Sequence, residues 1–162
     1  MAEDTHGRLL SRLRELAVEI ERLTSGLDEG PLAKRTVPGK WSLKELICHL
    51  WRVQQLFEGR IDAMLSQTNP PIIPYEPEGD PEFERMVATL PAQQSLRAFL
   101  AERNRFIVRL EALSPTHWRR PGRHPEFPHY DLHFQVEYMA HHEAHHLYQI
   151  FQRRAHLGQI PP

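Results

Sequence analysis

An all-α fold, a four-helix bundle with a long crossover between its second and third helices, is what this 162-residue sequence predicts. Three observations carry the prediction. Four segments place apolar residues at helical spacing, no segment shows the alternation of a half-buried strand, and the prolines gather between the segments.

The first helix runs from about residue 3 to 24, with Leu9, Leu13, Leu16, Ile20 and Leu23 on one face and Gly26 just beyond its end. A connection punctuated by Pro31, Pro38 and Gly39 follows. The second helix starts at Ser42, where Ser42-Leu43-Lys44-Glu45 is a capping box whose side chains satisfy free backbone N–H groups. Its apolar stripe is Leu43, Leu46, Leu50, Val53, Phe57, Ile61 and Met64. The third helix spans about residues 92 to 113 after Pro91, with Leu96, Phe99, Leu100, Ile107 and Leu110. The fourth begins at Asp131, a good N-cap, and continues to about Ala155. Pro70, Pro71, Pro74, Pro77 and Pro81 fall between helices two and three, and Pro115, Pro121, Pro125 and Pro128 between three and four. The former connection, about 25 residues, is long for a bundle. It can run back along a helix of about 33 Å, so helices two and three can lie parallel.

The length suits one domain over residues 1–162 with a proper core. A net charge of −1, from 20 basic and 21 acidic residues, argues against a nucleic-acid footprint. The local run Trp118-Arg119-Arg120 with Arg123 reads as a solvated loop. No apolar stretch is long enough to span a membrane, and the acidic start Met1-Ala2-Glu3-Asp4 has no signal-peptide core. A single cysteine, Cys48, fits a reducing cytoplasm.

The anomalous count is histidine: eleven, nine of them at or after His117. His141-His142-Glu143-Ala144-His145-His146 gives overlapping pairs at i, i+4 spacing, which brings two imidazoles within chelating reach. On a helical projection, Leu132, Gln135, Met139, His142, Glu143, His146 and Ile150 share one face, while His141 and His145 turn to solvent. The inward pair is therefore His142 and His146. His49, at the edge of the buried stripe of helix two, is the natural third ligand. Three imidazoles leave further coordination positions to water or substrate, as in catalytic sites. They suit zinc, nickel, copper or iron, with zinc or nickel the expected ions. A fourth side chain, from His133 or Glu143, would instead close the centre and mark a non-catalytic metal-binding bundle. His124, His129 and His133 read as exposed loop or first-turn residues.

Two stretches resemble a known family. Gly39-Lys40-Trp41-Ser42-Leu43-Lys44-Glu45-Leu46-Ile47-Cys48-His49-Leu50 is similar to the Gly-Lys-Trp-Ser-x-x-Glu-x-x-x-His-Leu opening of the DinB superfamily. Ala140-His141-His142-Glu143-Ala144-His145-His146-Leu147-Tyr148-Gln149-Ile150 resembles its terminal-helix signature, closest to the YfiT-like branch, which His124-Pro125-Glu126 also resembles. His141 stands where relatives often carry an aromatic residue or Asn, and the connection after helix three is unusually rich in His and Pro. The resemblance implies a bundle of down-up-up-down topology, often a homodimer, holding a divalent metal through His49, His142 and His146. Its members include metal-dependent hydrolases, S-transferases that join a low-molecular-weight thiol such as bacillithiol to an electrophile, and a thiol-dependent isomerase. The expectation is thus a cytoplasmic metal-dependent enzyme. Its partners would be a small-molecule thiol and an electrophile, with no nucleic acid and no membrane. Metal-activated water, and hence hydrolysis, is the alternative.

Arg103 falls near the centre of the third helix's apolar stripe, where a guanidinium must pair or reach a pocket. The first reading is a structural ion pair with Glu143, since fixed charges inside bundles usually pair; as the candidate substrate-binding residue it would instead grip an anionic group near the metal. Cys48 reads as a packed cysteine, Glu45 as a cap, and Trp41, Trp51 and Trp118 as packing anchors. Tyr138 and Tyr148 are candidates for the mouth of the site.

Overall fold

The computed structural model describes residues 3–162, so Met1-Ala2 of the acidic start lie outside the described residues. In chain order the helices are α1 (Glu3–Thr24), α2 (Glu29–Ala33), α3 (Leu43–Ser66), α4 (Pro81–Thr89), α5 (Ala92–Glu111), α6 (Pro115–Trp118) and α7 (Leu132–His156). The four long ones, α1, α3, α5 and α7, are the predicted bundle helices. The structure adds three short ones, one in each connection, which the proline-rich composition had masked. The largest, α4, is built by simple rules: Asp80 caps it by accepting from the Glu82 N–H, and Pro81 opens it.

Helix directions can be read from which residues meet. Between α3 and α5 the pairs ascend together: Cys48 with Ser95, Gln54 with the Phe99 carbonyl, and Asp62 with Arg109. These helices are parallel. α1 and α7 also run parallel, since His6 meets His133, Arg12 meets Glu137, and the Leu23 carbonyl meets Arg154. α3 and α7 are antiparallel: the Trp41 carbonyl, just ahead of α3, meets Arg153, and Arg60 meets Gln135. The topology is down-up-up-down, and the chain from Gln67 to Pro91 is the crossover that lets α3 and α5 point the same way.

The Ser42–Glu45 capping box forms as read. The Glu45 N–H donates to Ser42 Oγ and the Ser42 N–H to Glu45 Oε1, both at 3.1 Å. The other end of α3 is finished by the basic run after α6, which is not merely solvated. Arg120 donates to the carbonyls of Met64 and Gln67, both at 2.9 Å, and so satisfies groups freed at the helix C-terminus.

The core forms two apolar halves. One gathers Leu13, Phe57, Ile61, Phe106 and Met139; the other gathers Ile20, Leu46, Leu50, Phe99 and Ile150. Each such side chain contributes about 1.5–3 kcal/mol when fully buried. Along all four long helices the halves are divided at mid-length by a polar layer. There Arg103, entirely buried, donates to Gln54 Oε1 at 2.8 Å, to the Leu13 carbonyl at 2.9 Å and to Glu143 Oε2 at 2.7 Å.

The two proline-rich connections are pinned to each other. Ile72 N–H donates to the Arg123 carbonyl at 2.7 Å, Arg123 N–H to the Pro70 carbonyl at 2.8 Å, and Gly122 N–H to the Tyr130 carbonyl at 2.9 Å. Gly122 makes a close approach here: a Cβ on it would stand 3.0 Å from Ile72 Cδ1 and 3.2 Å from Met64 Sδ, so those side chains would have to shift. Together the connections roof one side of the bundle. Among the described residues no helix is long and apolar enough to cross a membrane.

Candidate metal centre

His49 projects from the second turn of α3, and His142 and His146 from adjacent turns of α7. Because these helices are antiparallel neighbours, the three rings converge. His142 Nε2 lies 3.2 Å from His49 Nε2 and 3.1 Å from His146 Nε2. An ion held tetrahedrally at about 2.0–2.1 Å would separate its nitrogen donors by about 3.4 Å, so the spacing is close to that of a chelating set. His141 and His145 are exposed, as the helical projection required.

The rings are neutral. Burial, with the neighbouring rings of His146 and His142, pushes His49 from its ordinary value of 6.5 to about 3. Burial, with His146, His145 and Arg60, pushes His142 to about 3. Burial also lowers His146, against a hydrogen bond to Gln149 that favours the charged form. Gln149 Oε1 lies 2.7 Å from His146 Nδ1. It is an acceptor, so His146 carries its proton on Nδ1 and presents a lone pair on Nε2. His142 Nε2 then faces two nitrogens, and a single N–H cannot serve both. At least one contact sets lone pair against lone pair, or hydrogen against hydrogen, which a cation between the three nitrogens would relieve.

Only His146 is oriented by a hydrogen bond. The Nδ1 atoms of His49 and His142 are buried without a partner among the described residues. Aromatic packing fixes those rings instead. Trp41, Phe83 and Tyr75 surround His49 with centroids at 4.8, 6.1 and 6.2 Å, and Phe57 lies 5.9 Å from His142.

The three histidines open onto a cavity of about 360 Å³ under the proline-rich roof, lined also by Trp41, Arg60, Tyr75, Tyr138, His124 and Glu126. Tyr75, which closes one wall, donates to Asp80 Oδ2 at 2.7 Å, and Arg52 reaches the same oxygen at 2.7 Å. Burial and the bond to Asp80 push the Tyr75 phenol up, so it stays protonated.

The structure brings together His49, His142 and His146 and leaves Arg103 out. The role of gripping an anionic substrate, the second reading of Arg103, does not fit its position. It is sealed in the polar layer, bound by Glu143, Gln54 and Leu13, and absent from the cavity wall. Nor does a fourth ligand close the centre. Glu143 belongs to Arg103, His133 Nδ1 lies 3.2 Å from His6 Nδ1, and no further His, Cys, Asp or Glu joins the cluster among the described residues. Trp41, read as a packing anchor, is also a wall of the cavity. His124, read as exposed, is half-buried and lines it as well. Tyr138 reaches the cavity; Tyr148 is 62% exposed and does not. Arg60 and Tyr75 were missed: one follows the apolar stripe of α3 and the other sits in a loop, and neither position carries a motif.

Fold and cluster together define a helical-bundle protein with an open three-histidine centre able to hold a divalent cation. The chain belongs to the DinB superfamily, whose family model matches residues 3–150. A solved structure with the same fold is YfiT from Bacillus subtilis, at a TM-score of 0.82 and 18% identity over 98% of this chain and 90% of that one. That protein is described as a probable metal-dependent hydrolase with an unusual four-helix bundle topology. A search of curated protein sequences gives no significant match.

Proposed function

We propose that the protein is a divalent-metal enzyme in which His49, His142 and His146 hold the ion, zinc or nickel, and a small cofactor thiol is activated there for transfer to an electrophile. The observation that carries this reading is the convergence of three neutral Nε2 atoms on one face of a cavity, with no fourth side chain closing the cluster among the described residues. When bound, a cation supplies Lewis acidity that lowers the pKa of a coordinating thiol or water.

The chain's own residues supply positioning. Trp41, Tyr75 and Tyr138 provide flat apolar walls against which a small electrophile can stack, while the roof limits water. His124 Nδ1 accepts from the Glu126 N–H at 3.1 Å, so the neutral ring keeps its proton on Nε2 and offers the cavity a donor for a leaving group. The buried Cys48 takes no part: burial pushes its thiol up, and its Sγ lies 3.7 Å from Ser95 Oγ at the α3–α5 contact. A thiol-using reaction fits a reducing cytoplasm.

A second reading, hydrolysis by water at the same centre, is favoured by the description of the Bacillus subtilis protein. One experiment addresses both. Tag-free protein is assayed for metal by elemental analysis, then incubated with a panel of low-molecular-weight thiols and monochlorobimane, and separately with model esters. One equivalent of metal with thiol-dependent, metal-dependent conjugation is the expected result. Metal-dependent ester cleavage without a thiol establishes the second reading. Unchanged metal content in His49→Ala, His142→Ala and His146→Ala overturns both.

A further inference from the structure

The wall of the cavity carries a guanidinium, that of Arg60, which has no acidic partner among the described residues. Its place is well fixed. Arg60 Nη2 donates to the Ile73 carbonyl at 2.8 Å, and Nη1 donates to Gln135 Oε1 at 3.3 Å. Its Cζ lies 4.7 Å over the Phe57 ring, which in turn packs on the ring of His142. Gln135 is itself entirely buried and its Oε1 also accepts from the Tyr130 hydroxyl, while its Nε2 has no partner among the described residues. These contacts use two of the five guanidinium N–H groups, the Tyr130 hydroxyl lies within hydrogen-bond reach of a third, and about two are left for a ligand. Among the described residues no carboxylate lies within ion-pair distance of Arg60. Arg103, fully buried at the middle of the bundle, is by contrast bound by Glu143.

From this geometry we infer that the cavity selects ligands bearing a carboxylate, which Arg60 binds while the reacting atom of the same ligand sits at the three histidines. The inference rests on the metal-centre reading above. A planar fork matches a carboxylate's two oxygens, and a guanidinium held by a ring and two carbonyls has already given up much of its side-chain freedom. Glu76 and Glu126 also line the cavity and would favour a cation. Both, however, are solvent-exposed, whereas Arg60 is half-buried. Charge counts for more where water is partly excluded, so the guanidinium dominates. Its influence already reaches His124, whose protonated form it disfavours.

The test uses the cobalt(II)-substituted full-length protein, because coordination of a thiol sulfur to cobalt gives a charge-transfer absorption that reports binding without turnover. Three probes of similar size are titrated: 3-mercaptopropionate, the neutral 3-mercapto-1-propanol and the cationic cysteamine. Wild type is expected to bind the carboxylate probe about tenfold or more tightly than the neutral one, the scale of a charge-assisted hydrogen bond. Arg60→Gln should take up cobalt as wild type does and lose that preference, and Arg60→Lys should keep part of it. A preference that survives in Arg60→Gln comes from chelation by the probe itself and overturns the inference, as does preference for cysteamine. Both results leave the three-histidine centre standing. A protein that takes up no cobalt overturns that centre and this inference together.

Discussion

Two buried polar sites lie within a turn of each other on α7, and they behave in opposite ways. Glu143 and Arg103 form a closed set: the guanidinium is bound by a carboxylate, a side-chain amide and a backbone carbonyl, and nothing in the set faces a cavity. His142 and His146, on either side of Glu143 in sequence, form an open set with His49. There the ring nitrogens crowd one another, two Nδ1 atoms have no partner among the described residues and one face looks onto a cavity. The difference teaches how to tell scaffold from site inside one bundle. Burial and polarity are shared; satisfaction is not. A polar group whose valences are met within the chain holds helices in register, and one whose valences are left convergent waits for a ligand.

The closed set should show the largest effect on stability. Glu143→Ala leaves Arg103 as a buried, unanswered charge and is expected to cost about 3–5 kcal/mol in urea denaturation. The double variant Arg103→Met, Glu143→Leu removes both charges and should recover most of that loss. If the double variant is no more stable than the single, the pair is not a self-contained structural unit. The open set should respond in the reverse way. His49→Ala and His146→Ala relieve a crowded cluster, so the chelator-treated variants should unfold at or above the temperature of chelator-treated wild type. What they lose is metal. Wild type should gain about 2.7 kcal/mol when the free ion is at a hundred times its dissociation constant, and the variants should gain nothing. Thermal melts with and without a chelator measure this directly.

The sequence carried the four long helices and the histidine triad because both depend on local periodicity. The spacing of Leu9, Leu13, Ile20 and Leu23 suffices to draw α1, and one turn suffices to align His142 with His146. His49 could be chosen because the face it occupies is set by the stripe of its own helix. Arg103 was placed correctly in the core, yet its partners lie on three other helices, so whether it grips substrate or Glu143 is a tertiary question. The cavity walls were illegible for the same reason. Tyr75 and His124 arrive on separate loops, and the bonds between those loops bring them to one roof. Helix α4 was locally written, with Asp80 as cap and Pro81 at its first turn, but the prolines around it concealed its nine residues.

A middle-sized effect should come from Gln149, which among the described residues makes the one hydrogen bond joining the open set to the rest of the chain. Gln149→Leu frees the His146 ring to take the other tautomer, which puts a hydrogen on Nε2 where a lone pair is needed. Loss of such an outer partner costs about 10–100-fold in metal affinity. A competition titration against a chromophoric chelator should show that weakening with little change in the chelator-treated melting temperature. An affinity like that of wild type would mean that packing alone, as at His49 and His142, is enough to aim a ligand ring.

The smallest effect separates the roof from the bundle beneath it. Tyr75 touches His49 through its ring and holds Asp80 through its hydroxyl, and Arg52 holds the same carboxylate oxygen. Tyr75→Phe keeps the ring and removes one of three bonds to the Asp80 side chain, so it should cost about 1 kcal/mol or less of global stability. Its local consequence should be larger, because the segment from Pro70 to Asp80 lacks the continuous backbone ladder of a helix and is expected to open at lower free energy than the helices. Amide hydrogen exchange is the measurement that resolves the two. Faster exchange in the roof, with α3 and α7 unchanged, is expected. Equal acceleration in α7 would show that roof and histidine helix open as one unit, and the contrast between closed and open sets would then be one of chemistry alone, not of mobility.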